Sequence, residues 1–167
     1  PGSYPPRVAL GFSVIPCLHL LDKLGFIPFR RSDFDETVRL LESMRPSLAP
    51  SQNGRNEAKE LALLFFRRYP LFYSASEHFE AAALRWRGQI AENGKALASH
   101  HVLPEMNHNE IVGWEEPKDI LRNCVAVFLR DKEEHPRVQT RMGITRDLLA
   151  KRGAETREVW SRGESLL

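Results

Sequence analysis

Two runs of strand length, P-L-F-Y-S-A at 70–75 and C-V-A-V-F-L within 123–131, constrain this chain more than anything else in it. Each carries almost no charge and is too short for a typical helix, so each fits a strand buried on both faces, as interior strands of a parallel sheet are. Parallel neighbours need a long crossover between them. The segment that follows the first run supplies one: Ser76 can cap a helix running to residue 89, with Phe79, Ala82, Ala83 and Trp86 inward and Arg85 and Arg87 outward. A second such helix is expected over 136–151, with Pro136 in its first turn and Gly153 ending it. T-R-E-V-W, at 156–160, then alternates as a third strand. Strand, helix, strand, helix, strand is the order of an α/β domain with a parallel sheet and right-handed crossovers.

Three helices are expected ahead of that domain. The first covers 7–24, apolar at most positions and therefore mostly buried, kinked at Pro16 and closed by Gly25. The second starts at Ser32 or Asp33 and is stopped by Pro46; a polar loop over 46–56 leads to a third over 56–68 with Leu61, Leu64 and Phe65 as its apolar face. The expected organisation is a helical entry region over 1–68 and an α/β domain over 69–167. With 167 residues, 42% hydrophobic and 28% charged, the chain can bury a core. Its net charge of +2 comes from cations interleaved with anions along the whole length, which argues against nucleic acid as a partner. Cys17 and Cys124 stand far apart among apolar neighbours, as buried thiols of a reducing compartment do, so cytoplasm is the expected address. The apolar run 61–66 falls far short of the roughly 20 residues of a membrane span, and no membrane partner is expected.

The chemistry is densest over 89–114, Q-I-A-E-N-G-K-A-L-A-S-H-H-V-L-P-E-M-N-H-N-E-I-V-G-W. Glu92 lies in a polar turn with Asn93, Gly94 and Lys95, and His108 lies between Asn107 and Asn109 ahead of Glu110. A carboxylate and an imidazole can share proton-transfer work, and the two segments are close enough in sequence to converge on one pocket. Lys95, and Arg7 if the fold brings it in, could stabilise an oxyanion or a phosphate. Blander readings exist for each. A glutamate at a helix C-terminus is ordinarily solvated, and a loop histidine ordinarily satisfied. His100, His101, His108 and Glu110 match no zinc spacing, and no metal is expected. Arg85, Trp86 and Arg87 resemble a single-strand-binding patch but more simply give core plus solvated edge. Trp114 and Trp160 are expected to be packing residues.

The two segments Q-I-A-E-N-G-K (89–95) and P-E-M-N-H-N-E-I-V-G-W (104–114) resemble a pair of motifs in the bifunctional phosphoglucose/phosphomannose isomerases, a family built from two sugar isomerase (SIS) domains. P-P-R-V-A-L-G at 5–11, with Phe12 where the family has tyrosine, P-L-F-Y at 70–73 and W-S-R-G-E-S at 160–165 are similar to it as well, so the likeness covers nearly the whole chain. It implies the C-terminal SIS portion: a three-layer α/β/α domain with a parallel sheet, preceded by linker helices. The activity implied is aldose–ketose isomerisation of glucose 6-phosphate, with mannose 6-phosphate as a second substrate, through a cis-enediol(ate). Glu92 would be the base at C1 and C2, His108 would assist ring opening, and Arg7 would offset the enediolate charge. Gln89, Asn93, Lys95 and Asn107 would join Arg7 in binding the sugar phosphate. No cofactor is implied. The partner implied is a second copy, with His108 donated to the neighbouring subunit.

The family's Ser/Thr-rich phosphate loop and its lysine-bearing final helix are not among these 167 residues, so the chain is expected to continue beyond them and to be nearly inactive alone. The alternative is a non-catalytic sugar-phosphate-binding or dimerisation SIS module.

Overall fold

The computed structural model describes residues 4–75 and 79–165. Ser76, expected to cap a helix, lies outside them. The chain divides into two compact units, one built on Pro1–Pro46 with Gly163–Leu167 and the other on Ser47–Arg162.

In the first unit a 3-10 turn over Pro6–Val8 leads into α1, Leu10–Lys23. Gly25, at φ 74°, provides the left-handed residue of a Schellman ending: its N–H reaches the carbonyl of Asp22, and that of Phe26 reaches Leu21. The mostly buried character expected of this helix is not found: none of its fourteen residues is buried, and Leu10, Phe12 and Leu20 are exposed. Cys17 is exposed with them, contrary to expectation. Apolar composition supplies a surface that burial would favour, but burial needs a second surface. Helix α2, Arg31–Leu48, starts one residue early, and Ser32 hydrogen-bonds to Asp33 rather than capping the helix. Pro46 does not stop it at once; the helix runs two residues further, to Leu48. Glu36 on α2 accepts from the backbone N–H of Glu164 and from the hydroxyl of Ser165, which ties the end of the chain into this unit.

The second unit is the α/β domain. Helix α3, Glu57–Phe65, is capped by Asn56, whose side-chain oxygen accepts from the N–H of Lys59 at 3.0 Å. Strand β1, Tyr69–Ala75, is followed by α4, Glu80–Gln89, and then by a five-residue π turn, Ile90–Gly94. Strand β2, Ser99–Leu103, was not expected. After a 3-10 turn at Glu105–Asn107 come the single-turn helices α5, Glu110–Gly113, and α6, Lys118–Leu121. Strand β3, Cys124–Arg130, leads to α7, Pro136–Lys151, whose first turn holds Pro136 as expected and is capped by the His135 ring accepting from the N–H of Arg137. Gly153, at φ 98°, turns the chain into β4, Glu155–Trp160.

The four strands form one fully parallel sheet in the order β2-β1-β3-β4. Period-two alternation splits the two central strands between two cores. Phe72, Val125, Val127 and Leu129 face α3 and α4 through Leu64, Phe65, Ala83 and Trp86. Leu71, Tyr73, Ala126 and Phe128 face the other way and pack with Leu103, Met106, Trp114, Met142 and Leu149. The result is the three-layer α/β/α architecture. Trp86 stands edge-on to Phe72, as a core residue. Trp160, expected to pack, is instead an exposed edge residue over which the Arg130 guanidinium lies 4.6 Å from the ring centre. Among the described residues no helix is long and apolar enough to cross a membrane.

Candidate functional site

The π turn that ends α4 widens the backbone so that Glu92, Asn93 and Lys95 emerge together at one tip. Lys95 takes the left-handed conformation, φ 54°, and its N–H closes the turn on the carbonyl of Ile90. Its ammonium folds back 2.6 Å from the carbonyl oxygen of Glu92 and so braces the turn rather than neutralising the carboxylate. Asn93 donates to the side-chain oxygen of Gln89 at 3.0 Å. Four of the expected site residues, Gln89, Glu92, Asn93 and Lys95, thus share one turn. The Glu92 carboxylate is exposed and has no hydrogen bond or ion pair among the described residues.

His108 is held differently. Met106 is buried beneath its loop, and Asn107 donates to Thr145 on α7 at 2.8 Å. Asn109 donates to Glu105 at 2.9 Å, while its own oxygen accepts the N–H of Glu110 and starts α5. These bonds from Asn107 and Asn109 engage Thr145, Glu105 and the backbone of Glu110, and none engages the His108 ring. The imidazole itself is exposed and uncommitted.

The sheet topology fixes where these groups stand. Glu80, first in α4, lines a cavity of about 230 Å³ with Glu105 and Asn109, so α4 begins at the end of the sheet where β2 finishes. Twelve residues of helical rise then carry Glu92 about 18 Å along the helix axis, towards the end where β2 begins. His108 follows the C-terminal end of β2. The expectation that the two converge on one pocket of one chain is therefore not met: a parallel crossover puts the end of its helix opposite the end of the strand that follows. Arg7 lies exposed in the Pro6–Val8 turn of the other compact unit.

Two cavities flank β2 and its loop. The one that Glu80 lines is also bordered by His100 and His101. Burial, and then the Arg87 cation, hold the His100 pKa below its usual value. The second, of about 380 Å³, lies between the Asn107 loop and α7 and is lined by Arg137, Arg141 and Thr145. Glu92 and His108 line neither. Among the described residues no group of three or more His, Cys, Asp or Glu is placed to hold a metal ion.

Sequence reasoning missed a buried network beside the loop. Tyr73, fully buried on β1, donates its hydroxyl to Glu110 at 2.5 Å and accepts from the indole N–H of Trp114 at 3.2 Å. The second carboxylate oxygen of Glu110 lies 3.0 Å from the His101 ring nitrogen, an ion pair when the imidazole is protonated, and is buried without an aligned hydrogen bond. Burial first, and the Glu110 charge next, push the Tyr73 phenol well above its usual pKa. The available signal was a tyrosine inside a run expected to be buried on both faces, since a buried hydroxyl needs a partner.

Comparison with known proteins bears on this geometry. A model of the bacterial phospho-glucose isomerase C-terminal SIS domain matches residues 54–167. A bifunctional phosphoglucose/phosphomannose isomerase from Caldicellulosiruptor bescii is 42% identical over the whole chain, which covers 50% of that protein. Proteins of the same name from Aquifex aeolicus and Thermoplasma acidophilum are 33% and 26% identical, again over the whole chain and 48% of each relative. The chain spans about half the length of the curated relatives it matches.

Proposed function

The chain belongs to the family of bacterial phospho-glucose isomerase C-terminal SIS domains, and on that premise we propose that it is the C-terminal half of an aldose–ketose isomerase acting on glucose 6-phosphate and mannose 6-phosphate. The observation that carries this reading is the π turn, which presents the Glu92 carboxylate with no partner among the described residues while Lys95 bonds the Glu92 carbonyl and Asn93 bonds the Gln89 side chain beside it. A proton-transferring carboxylate needs that combination of fixed backbone and free oxygens.

In this reading His108 takes the proton from the anomeric hydroxyl of the cyclic sugar and returns it to the ring oxygen, opening the ring. Glu92 then removes the proton from C2 of the open-chain aldose, giving a cis-enediol(ate). Arg7, always protonated, offsets the charge developing on oxygen. Glu92 delivers the proton to C1 as the O2 hydroxyl proton passes to O1, which leaves the ketose. Gln89, Asn93, Lys95 and Asn107 bind the sugar phosphate.

The placement of Glu92 and His108 at opposite ends of the sheet supports a homodimer in which each chain lends His108 to its neighbour. The 167 residues alone turn over substrate poorly, since the phosphate anchoring expected from the rest of the protein would contribute several kcal/mol of positioning. The test is Glu92→Gln in a full-length isomerase containing this chain. Exchange of the C2 proton of fructose 6-phosphate with solvent should disappear while the fold is kept. Near-normal exchange would sink the assignment.

A further inference from the structure

Tyr73 lies on β1, and its hydroxyl is where the His108 loop is fastened to the sheet. Its O–H donates to Glu110, the first residue of α5, and it accepts from Trp114, the residue that closes α5. Both ends of the single-turn helix that follows His108 are thus pinned to one phenolic oxygen. A helix of four residues cannot hold its own shape. Its position is held by these two bonds, by the packing of Ile111 and Trp114 in the core, by His101 beside Glu110 and, on the other side of His108, by Asn107 on Thr145.

The bond to Glu110 joins a phenol to a carboxylate at 2.5 Å and is the shorter of the two. The other carboxylate oxygen has only the His101 ring nitrogen at 3.0 Å, without an aligned hydrogen bond, so the phenol makes the carboxylate's one aligned side-chain hydrogen bond among the described residues. Loosening it frees the backbone two residues after His108. The imidazole, which makes no hydrogen bond among the described residues, would then sample a wider range of positions.

We propose that Tyr73 is a positioning residue for His108, acting through Glu110 and Trp114 to hold the imidazole at the height from which it reaches the sugar ring. The inference rests on the assignment of ring opening to His108.

The experiment is a double-mutant cycle in a full-length isomerase containing this chain, with Tyr73→Phe, His108→Ala and the pair. Tyr73→Phe keeps the ring and its packing and removes only the hydroxyl. Expected is a fall in kcat on cyclic glucose 6-phosphate of about tenfold to a hundredfold with KM unchanged, the scale of a misplaced catalytic group. No further loss should appear when Tyr73→Phe is added to His108→Ala. Full turnover in Tyr73→Phe, or losses that multiply in the double variant, overturns the inference while leaving the role of His108 standing. Full turnover in His108→Ala overturns that role and this inference with it. Should Tyr73→Phe fail to fold, the isosteric Glu110→Gln weakens the same tether, and its cycle with His108→Ala is read in the same way.

Discussion

Lys95 shows how far a residue's type is from its task. Beside Glu92 in sequence it invites an ion pair, yet its ammonium bonds the Glu92 carbonyl and leaves the carboxylate free. Glu92 stood out in the sequence as a candidate because its motif is dense and local. Tyr73 did not, because its two partners come from residues 37 and 41 positions away. Two predictions belong at this scale. His108→Ala should slow turnover more on cyclic sugar than on open-chain substrate at unchanged melting temperature, because the ring is exposed and makes no hydrogen bond among the described residues; equal loss on both substrates would remove the ring-opening role. The second concerns alkaline stability. The folded pKa of Tyr73 is raised above its ordinary value of 10.0, so above that pH the unfolded chain sheds a proton that the folded one keeps. Stability should therefore fall as pH rises through 10 and beyond. Cys124, raised from 9.0 by burial, adds a decline of the same sign that begins lower. Urea titrations at successive pH values should show Tyr73→Phe lessening the slope above pH 10 while the decline that begins lower remains.

Elements with a strong local pattern appear where the sequence puts them, and those without one do not. Helix α7 matches its expected bounds, since Pro136 fits the first turn and Gly153 the end. Strand β3 is apolar throughout and buried throughout, save for Arg130 at its end, which is buried but charged. Strand β2 escaped because Ser99, His100 and His101 make it polar; it holds its place as an edge strand by pairing with β1, Phe72 beside His100. The converse case is α1, whose composition promises burial that no described surface provides. Two substitutions measure these elements. Asn56→Ala removes the cap of α3 and should cost about 1 kcal/mol in denaturant unfolding. Leu149→Ala empties a fully buried position between α7 and the sheet and should cost roughly 2–5 kcal/mol.

For the whole molecule the consequence is a question of which chain supplies which group. If each site takes Glu92 from one chain and His108 from another, then mixing Glu92→Gln and His108→Ala homodimers of the full-length protein and letting them reassociate should regenerate intact sites. Random pairing makes half the dimers mixed and half of their sites complete, so about a quarter of normal activity should return. No recovery would place both groups in the same chain's site. The sequence by itself determined the α/β class, most of the elements, the family and the choice of Glu92 and His108 as candidates for proton handling, because each is written in a local period or a contiguous motif. Only the tertiary structure decided that Glu92 and His108 stand at opposite ends of the sheet, that β2 exists, and that Tyr73 fastens the loop. The physical reason is that parallel pairing and buried hydrogen bonds join residues by register across strands, and register is not encoded in any single stretch of chain.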